Sequence, residues 1–354
     1  MGRRFGGISL HTVLVGTRAR FAVALAGLAA SGLIAGEARA ANQEPAGLNL
    51  GLTSFYDGFG KNEEGFVYLG YATYSRARSI NGEEGKAEPV FNDPKLDAYV
   101  LINQLVYVLP ETLFGEAAHP GINVIVPVIA FDTSFKPAPP PPGIQLKNNG
   151  FGMGDPVVGA FLQFKPIISD GRPLFSHRLE LDLIVPIGAY DPHKDINQGS
   201  NFASFNPYWA ATVLPIKHLE VSARFHYLYN AVNLRPANPP PIMPGVETAQ
   251  AGQAFWVNFT ASYEIIERLH LGVNGYFFTQ FTDDRYTFSD GSANNGKAVP
   301  PLGDQGRARF MTLGPGVFWD VDKENKLFAN AYFPLFSYNR PNSLALNLHY
   351  IHSF

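Results

Sequence analysis

The side chains best suited to chemistry stand on two short segments. In "HRLELDLIVPIG", Arg178, Glu180 and Asp182 alternate with Leu179, Leu181 and Leu183, and Val185 and Ile187 continue the apolar set. In "LEVSARFHYLYN", Glu220, Ser222, Arg224, His226 and Asn230 alternate with Val221, Ala223, Phe225, Tyr227 and Tyr229. Carboxylates beside a guanidinium and an imidazole are the types used for general acid–base work, and Ser222 with His226 would make a nucleophile and base if they came within hydrogen-bond reach. The spacing favours another use. A period of two puts every polar group on one face of a strand, so these residues line a wall rather than converge on one atom.

Other candidates for catalysis or metal binding are weak. The chain has nine histidines but no H-E-x-x-H spacing, and His349 and His352 fall on opposite faces of a strand, where they cannot chelate together. There is no G-x-S-x-G elbow. "GMGDP" (152–156) lacks the G-K-[ST] of a phosphate loop and leads into a strand, while Asp283 and Asp284 stand beside a loop. A serine hydrolase of the outer-membrane phospholipase kind needs its Ser and His on a lipid-facing surface, and Ser222 and His226 are expected inward. No catalytic residue, metal or cofactor is expected, and the chain is not expected to be an enzyme.

The elements that carry the two segments recur along the chain. "FWVNFTASY" sets Phe255, Val257, Phe259, Ala261 and Tyr263 against Asn258, Thr260 and Ser262. Such segments have about the ~9–11 residues that a tilted strand needs to cross a bilayer, and their polar faces carry charges that a dry core would not tolerate. The apolar face then meets lipid and the polar face a wet interior. Strands are expected at 66–75, 96–108, 121–131, 154–165, 177–188, 203–214, 219–230, 254–264, 269–281, 308–320, 326–338 and 343–354, with 47–55 as a thirteenth candidate.

The fold class that follows is all-β: a single antiparallel transmembrane β-barrel of about 12 strands, within a range of roughly 10–14, an even number being the rule for such barrels. Loop lengths agree with that parity. "DKENK", "EIIER", "PIKH" and the stretch around Asp170 are short turns for one side of the membrane, and 76–95, 132–153, 189–202, 231–253 and 283–307 are longer loops for the other. The expected pore-lining set is Arg178, Glu180, Asp182, Glu220, Arg224, His226, Asn258 and Thr260. It reads either as an internal salt-bridge network that braces the barrel or as a constriction that sets what passes.

The first forty residues read as a secretory signal. Arg3, Arg4, Arg18 and Arg20 precede the apolar run 21–36, and Ala38-Arg39-Ala40 offers a cleavage site after Ala40. A retained membrane helix is disfavoured, because the run falls short of the ~20 apolar residues needed to span a bilayer. Its removal takes away five arginines and leaves acids in excess, which argues against nucleic acid as a partner. The absence of cysteine excludes disulfides and thiolate metal sites. The expected organisation is a signal peptide (1–40), a periplasmic or lumenal segment (41–65) and a barrel (66–354). The segment is read as a partial plug or as a disordered leader.

In "LALNLHYIHSF" the set Leu344, Leu346, Leu348, Tyr350, His352 and Phe354 shares one face and places Phe354 in an aromatic girdle. Tyr350 and Phe354 resemble the terminal signal read by the barrel assembly machinery, His352 being a departure from it. "KPAPPPPG" (136–143) and "NPPPIMPG" (238–245) are expected to be stiff outer loops.

"GMGDPVVGAFLQF" (152–164), "LIVPIGAYDPHKDINQGSNFASFNPYWAATVLP" (183–215) and the Tyr-rich "GFVYLGYATYSRARS" resemble the outer-membrane transporter family associated with the meta-pathway of phenol degradation. The motif positions are Gly152, Gly154, Asp155, Pro156, Gly188, Tyr190, Asp191, Pro192, Asn197 and Asn201, where Gly, Pro, Asp and Asn shape and cap turns. The resemblance implies a barrel in the bacterial outer membrane, surrounded by its lipid, that passively admits small hydrophobic or aromatic solutes. Capture would fall to aromatic residues of the outer loops, Tyr190, Phe202, Phe205, Tyr286 and Phe288, with onward diffusion past the polar ladder or out through the wall. The alternatives are a structural or adhesive barrel with a closed lumen and, more remotely, a lipid hydrolase.

Overall fold

The computed structural model describes residues 48–137, 144–237, 245–291, 293–295 and 307–354. The expected signal peptide and most of both proline-rich stretches lie outside the described residues. The barrel strands are β1 (Gly65–Asn81), β2 (Lys95–Val108), β3 (Ala118–Ser134), β4 (Val157–Phe164), β5 (Arg172–Ile184), β6 (Ser204–Val213), β7 (Leu219–Asn230), β8 (Ala254–Ile266), β9 (Leu269–Gln280), β10 (Arg309–Asp320), β11 (Asn325–Tyr338) and β12 (Arg340–Ser353). Each pairs antiparallel with its successor, and β12 returns to β1 from Val67↔Ser353 to Asn81↔Arg340, closing the sheet. Closure removes the unpaired edge that lipid could not satisfy.

Alternation along each strand does what lipid requires. On β5, Leu179, Leu181 and Leu183 are 43%, 56% and 46% exposed, whereas Glu180 and Asp182 are 2% and 6% exposed. A water-soluble sandwich would reverse that order, so the leucine side is the lipid face. The same inversion holds on β7, β8 and β12, where Phe225, Tyr263 and Leu348 face out and Arg224, Ser262 and Asn347 face in. All twelve expected strands are present. β1 and β3 are longer than expected, because their outer ends continue into the loops, where Ile80 is buried with Phe91, Ile144 and Leu146.

At one end the connections are short, and His218, Arg268 and Asp170 take positive φ there to close them. The long loops gather at the other end, where Val246–Gln250, Arg285–Phe288 and Ala293–Asn295 form a small separate sheet. The outer connection between β11 and β12 departs from this pattern, since it is Asn339 alone, in the left-handed region at φ 53. Residues 48–64 join no strand.

Candidate functional site

Residues 48–64 run inside the barrel, bonded to the polar faces that surround them. Asn258 accepts a hydrogen bond from the Gly51 amide at 3.0 Å and donates to the Asn49 carbonyl at 2.9 Å. Trp256 Nε1 donates to the same carbonyl at 3.0 Å, and the Tyr332 hydroxyl donates to Gly51 at 2.8 Å. Deeper in, Glu220 accepts from the Tyr56 amide at 2.9 Å and from the hydroxyls of Ser222 and Ser262. Gly58 donates its amide to Thr212 at 2.8 Å and takes bonds from Ser176 and Gln163 on its carbonyl. A Cβ on Gly58 would lie 2.3 Å from the Ser176 carbonyl oxygen, so the wall closes on bare backbone here.

The strongest tie is ionic. Arg224 donates to both oxygens of Asp57, at 3.0 and 2.5 Å, in the fork geometry suited to a carboxylate. Burial pushes the Asp57 carboxyl above its ordinary value, against the pull of the Arg224 guanidinium.

All eight residues of the expected pore-lining set face inward, but most are engaged. Arg178 donates to Glu180 at 2.6 Å while its guanidinium stacks over Phe161, 3.5 Å from the ring centroid. Glu180 also takes bonds from Tyr208 and Asn123, and Asn123 reaches Asp182 at 3.3 Å. His226 bonds Asn206 and stacks on Trp256 with centroids 4.1 Å apart. Thr260 bonds Asn274. Ser222 is taken up by Glu220 and Thr212, away from His226. Of the eight, Glu220, Arg224 and Asn258 bond the inner segment, and the contacts of the other five stay among the barrel strands.

Two cavities and a small void between them lie within the barrel. On the loop side a cavity of about 340 Å³ is lined by Leu48, Leu50, Leu52, Ile102, Ile129, Tyr276 and Phe310. At the short-turn end a cavity of about 1010 Å³ is lined by Tyr71, Phe161, Arg178, Arg224, Phe328 and His349. A void of about 40 Å³ lies between, sharing Leu48, Leu52 and Ile102 with the outer chamber and Tyr71, Gln104, Tyr208 and Arg224 with the inner one. At this pinch the Tyr71 hydroxyl donates to Gln104 at 3.1 Å, and the Tyr71 ring lies on His349 with centroids 4.0 Å apart.

The wall beside the outer chamber is split. The β11–β12 ladder runs from Asn325↔His352 to Tyr332↔Ala345 and stops. Beyond it β11 stays with β10, from Leu313↔Phe333 to Arg309↔Tyr338, and β12 stays with β1, through Leu344↔Arg76 and Pro341↔Ile80. Pro334 and Phe336 on one lip and Pro341 and Ser343 on the other all line the apolar chamber.

The five aromatic residues expected to capture solute do not converge. Phe202 is buried, Phe205 faces outward from β6, and the Tyr190 hydroxyl is bonded to the Arg235 carbonyl at 2.8 Å. Tyr286 and Phe288 belong to the small outer sheet. Sequence reasoning passed over the chamber residues Leu48, Leu50, Leu52 and Phe310, although the alternating leucines were visible. His349 faces the lumen and His352 the outside, where it bonds Asn325.

The motif residues form one knot at the outer end. Asp155, 1% exposed, accepts bonds from the Gly188 amide at 2.9 Å and from the Ser200 amide and hydroxyl at 2.7 and 2.5 Å. Asn197 bridges Asp191 in both directions, accepting from its amide and donating to its carbonyl. Asn201, at φ 63, donates to Asn233. Gly188 permits the approach, since a Cβ there would lie 2.6 Å from the Gly154 carbonyl carbon.

A family profile described as "Putative MetA-pathway of phenol degradation" matches residues 61–350. The chain belongs to that family. The match takes in the first eleven barrel strands and most of β12 but little of the lumenal segment, which mostly precedes residue 61. No curated protein matches the sequence. Among solved structures, an outer-membrane channel of the COG4313 group from Pseudomonas putida F1 is similar at 15% identity and TM-score 0.62, over 84% of this chain and 98% of that one. At that identity the likeness is one of fold. The transport unit of the autotransporter AIDA-I from Escherichia coli, at 10% identity and TM-score 0.44, covers 82% of this chain and 90% of its own. The monoaromatic hydrocarbon channel TodX, as its deltaS2S3 mutant, stands at 8% and 0.44, over 84% and 91%.

Proposed function

We propose that this member of the phenol-degradation family is a passive outer-membrane channel for small hydrophobic or aromatic compounds. The observation that carries the reading is the mainly apolar outer chamber, bounded by Leu48, Leu50, Leu52 and Phe310 with the Arg340 guanidinium over the Phe310 ring, which reaches the wall where β11 and β12 part. A solute of the size of one aromatic ring fits such a space, and an apolar solute leaves water for it at roughly 25 cal/mol per Å² of apolar surface buried. From the chamber it passes between the lips toward the acyl chains, or along the pinch at Tyr71 to the inner cavity. The family match and the fold shared with the Pseudomonas putida channel support this reading. Export by residues 1–40 and assembly through Tyr350 and Phe354 complete it.

One observation favours a second reading. The segment 48–64 fills the axis with many bonds, as a structural barrel with a closed lumen would require. Reconstitution of the chain in planar bilayers and liposomes separates the two, with ion conductance measured beside uptake of a labelled monoaromatic solute. Uptake with little conductance is expected. A folded, heat-modifiable barrel that gives neither would be the closed scaffold.

A further inference from the structure

Three arginines on the outer surface stand on either side of the split. On β1, Ala77 is buried and Arg76 and Arg78 are exposed; on β10, Phe310 is buried and Arg309 exposed. Their depth is marked by aromatic rings. Tyr74 and Tyr99 stack on the outer face with centroids 5.1 Å apart, and Arg76, the next outward residue toward the loops, lies 5.6 Å over Tyr74. Arg309 lies 4.7 Å over Tyr338. Aromatic girdles sit at the lipid–water interface, so guanidiniums beyond them are at headgroup level.

Positive charge is in excess at this level. Arg76 and Arg78 share one carboxylate, Asp97, at 3.3 and 3.0 Å. Arg309 has no carboxylate within ion-pair distance among the described residues, only the faces of Tyr338 and Phe336. From β10 to β1 is three strand steps, at least about 14 Å at ~4.8 Å for each paired step and more where β11 and β12 part. A ligand bridging them needs two separated anionic groups and must lie in the outer leaflet.

We propose that Arg76, Arg78 and Arg309 bind the phosphates of an outer-leaflet glycolipid whose headgroup straddles the split. Guanidinium forks match phosphate oxygens as they match carboxylates. The glycolipid's acyl chains then lie against Phe333, Leu335, Leu344 and Leu346, and the slot opens to hydrocarbon beneath a polar roof. This site depends on how the barrel sits in its membrane and not on which solute the chamber takes.

The test uses the full chain in detergent micelles, with lipid binding followed by native mass spectrometry. The probes are bisphosphorylated lipid A, its dephosphorylated form and phosphatidylglycerol. Bisphosphorylated lipid A is expected to bind at least about tenfold more tightly than the dephosphorylated form, the scale of one charged hydrogen-bonded contact, and R76A/R78A/R309A is expected to lose the preference. R309A alone, which breaks no ion pair, should lose part of it, and R309K should recover some, so the outcome does not hang on the folding of the triple variant. No preference in the wild type, or full preference in the variants, overturns the site. Equal binding of phosphatidylglycerol overturns the glycolipid assignment.

Discussion

Tyr332 and Ala345 are the last residues at which β11 and β12 stand in register, and the apolar chamber meets the wall directly beyond them. Proline offers no amide to a ladder, and Pro334 and Pro341 stand on the two lips. If solute uses this slot, bulk at its mouth must obstruct it. S343W places an indole at the chamber's edge, on a residue whose backbone stays paired with Ala77 in the ladder that closes the barrel. Uptake of a labelled monoaromatic solute is expected to fall several-fold, with heat-modifiable mobility unchanged. Unaltered uptake would move the route elsewhere.

Arg224 and Asp57 hold the inner segment by the one bidentate ion pair that reaches it from the wall among the described residues. Removing one partner strands a buried charge, at a cost of about 3–5 kcal/mol, whereas replacing both by apolar groups is often neutral. R224A should therefore loosen the segment and expose Lys61 to trypsin, and ion conductance should rise. R224L with D57L should restore much of the seating. Equal protease resistance in R224A would show that the backbone bonds to Glu220, Asn258 and Thr212 suffice.

How far the sequence carried the reading follows from the range of each signal. Strand faces were legible because lipid outside and water inside impose a period of two, visible within a few residues, as at Leu179 to Asp182. The inner segment was not, because its partners Asn258, Glu220 and Arg224 lie far along the chain and no local pattern records a bond between a bare amide and a distant side chain. The prolines at 334 and 341 were a signal available inside a strand. The orientation of the loop aromatics was not legible either, since Phe202 is turned by packing and Tyr190 by a backbone carbonyl rather than by residue type.

Asp155 gathers the Gly188 amide and both donors of Ser200, so it pins the loop 185–203 to the end of β4. A buried donor left unpaired costs about 1–3 kcal/mol. D155A is expected to make that loop the first site of limited proteolysis, and G188A to act similarly by forcing the strands of the knot apart. The barrel should keep its strand content by circular dichroism. Intact loops in both variants would show that the Asn197 bonds to Asp191 and the bond Gln198 donates to the Gly150 carbonyl hold the knot alone.

Tyr71 closes the pinch with its ring more than with its hydroxyl. The ring lies against His349, and the single bond to Gln104 could be replaced by water from the inner cavity. Removing the ring should join the small void to the inner cavity, while removing the hydroxyl should not. Y71A is therefore expected to raise single-channel conductance several-fold and Y71F to leave it near the wild-type level. Uptake of a monoaromatic solute through the slot should be little changed in either. A conductance insensitive to Y71A would place the seal on the segment itself, at Asp57 and its partners, and deletion of residues 48–60 would then be the change that opens the pore.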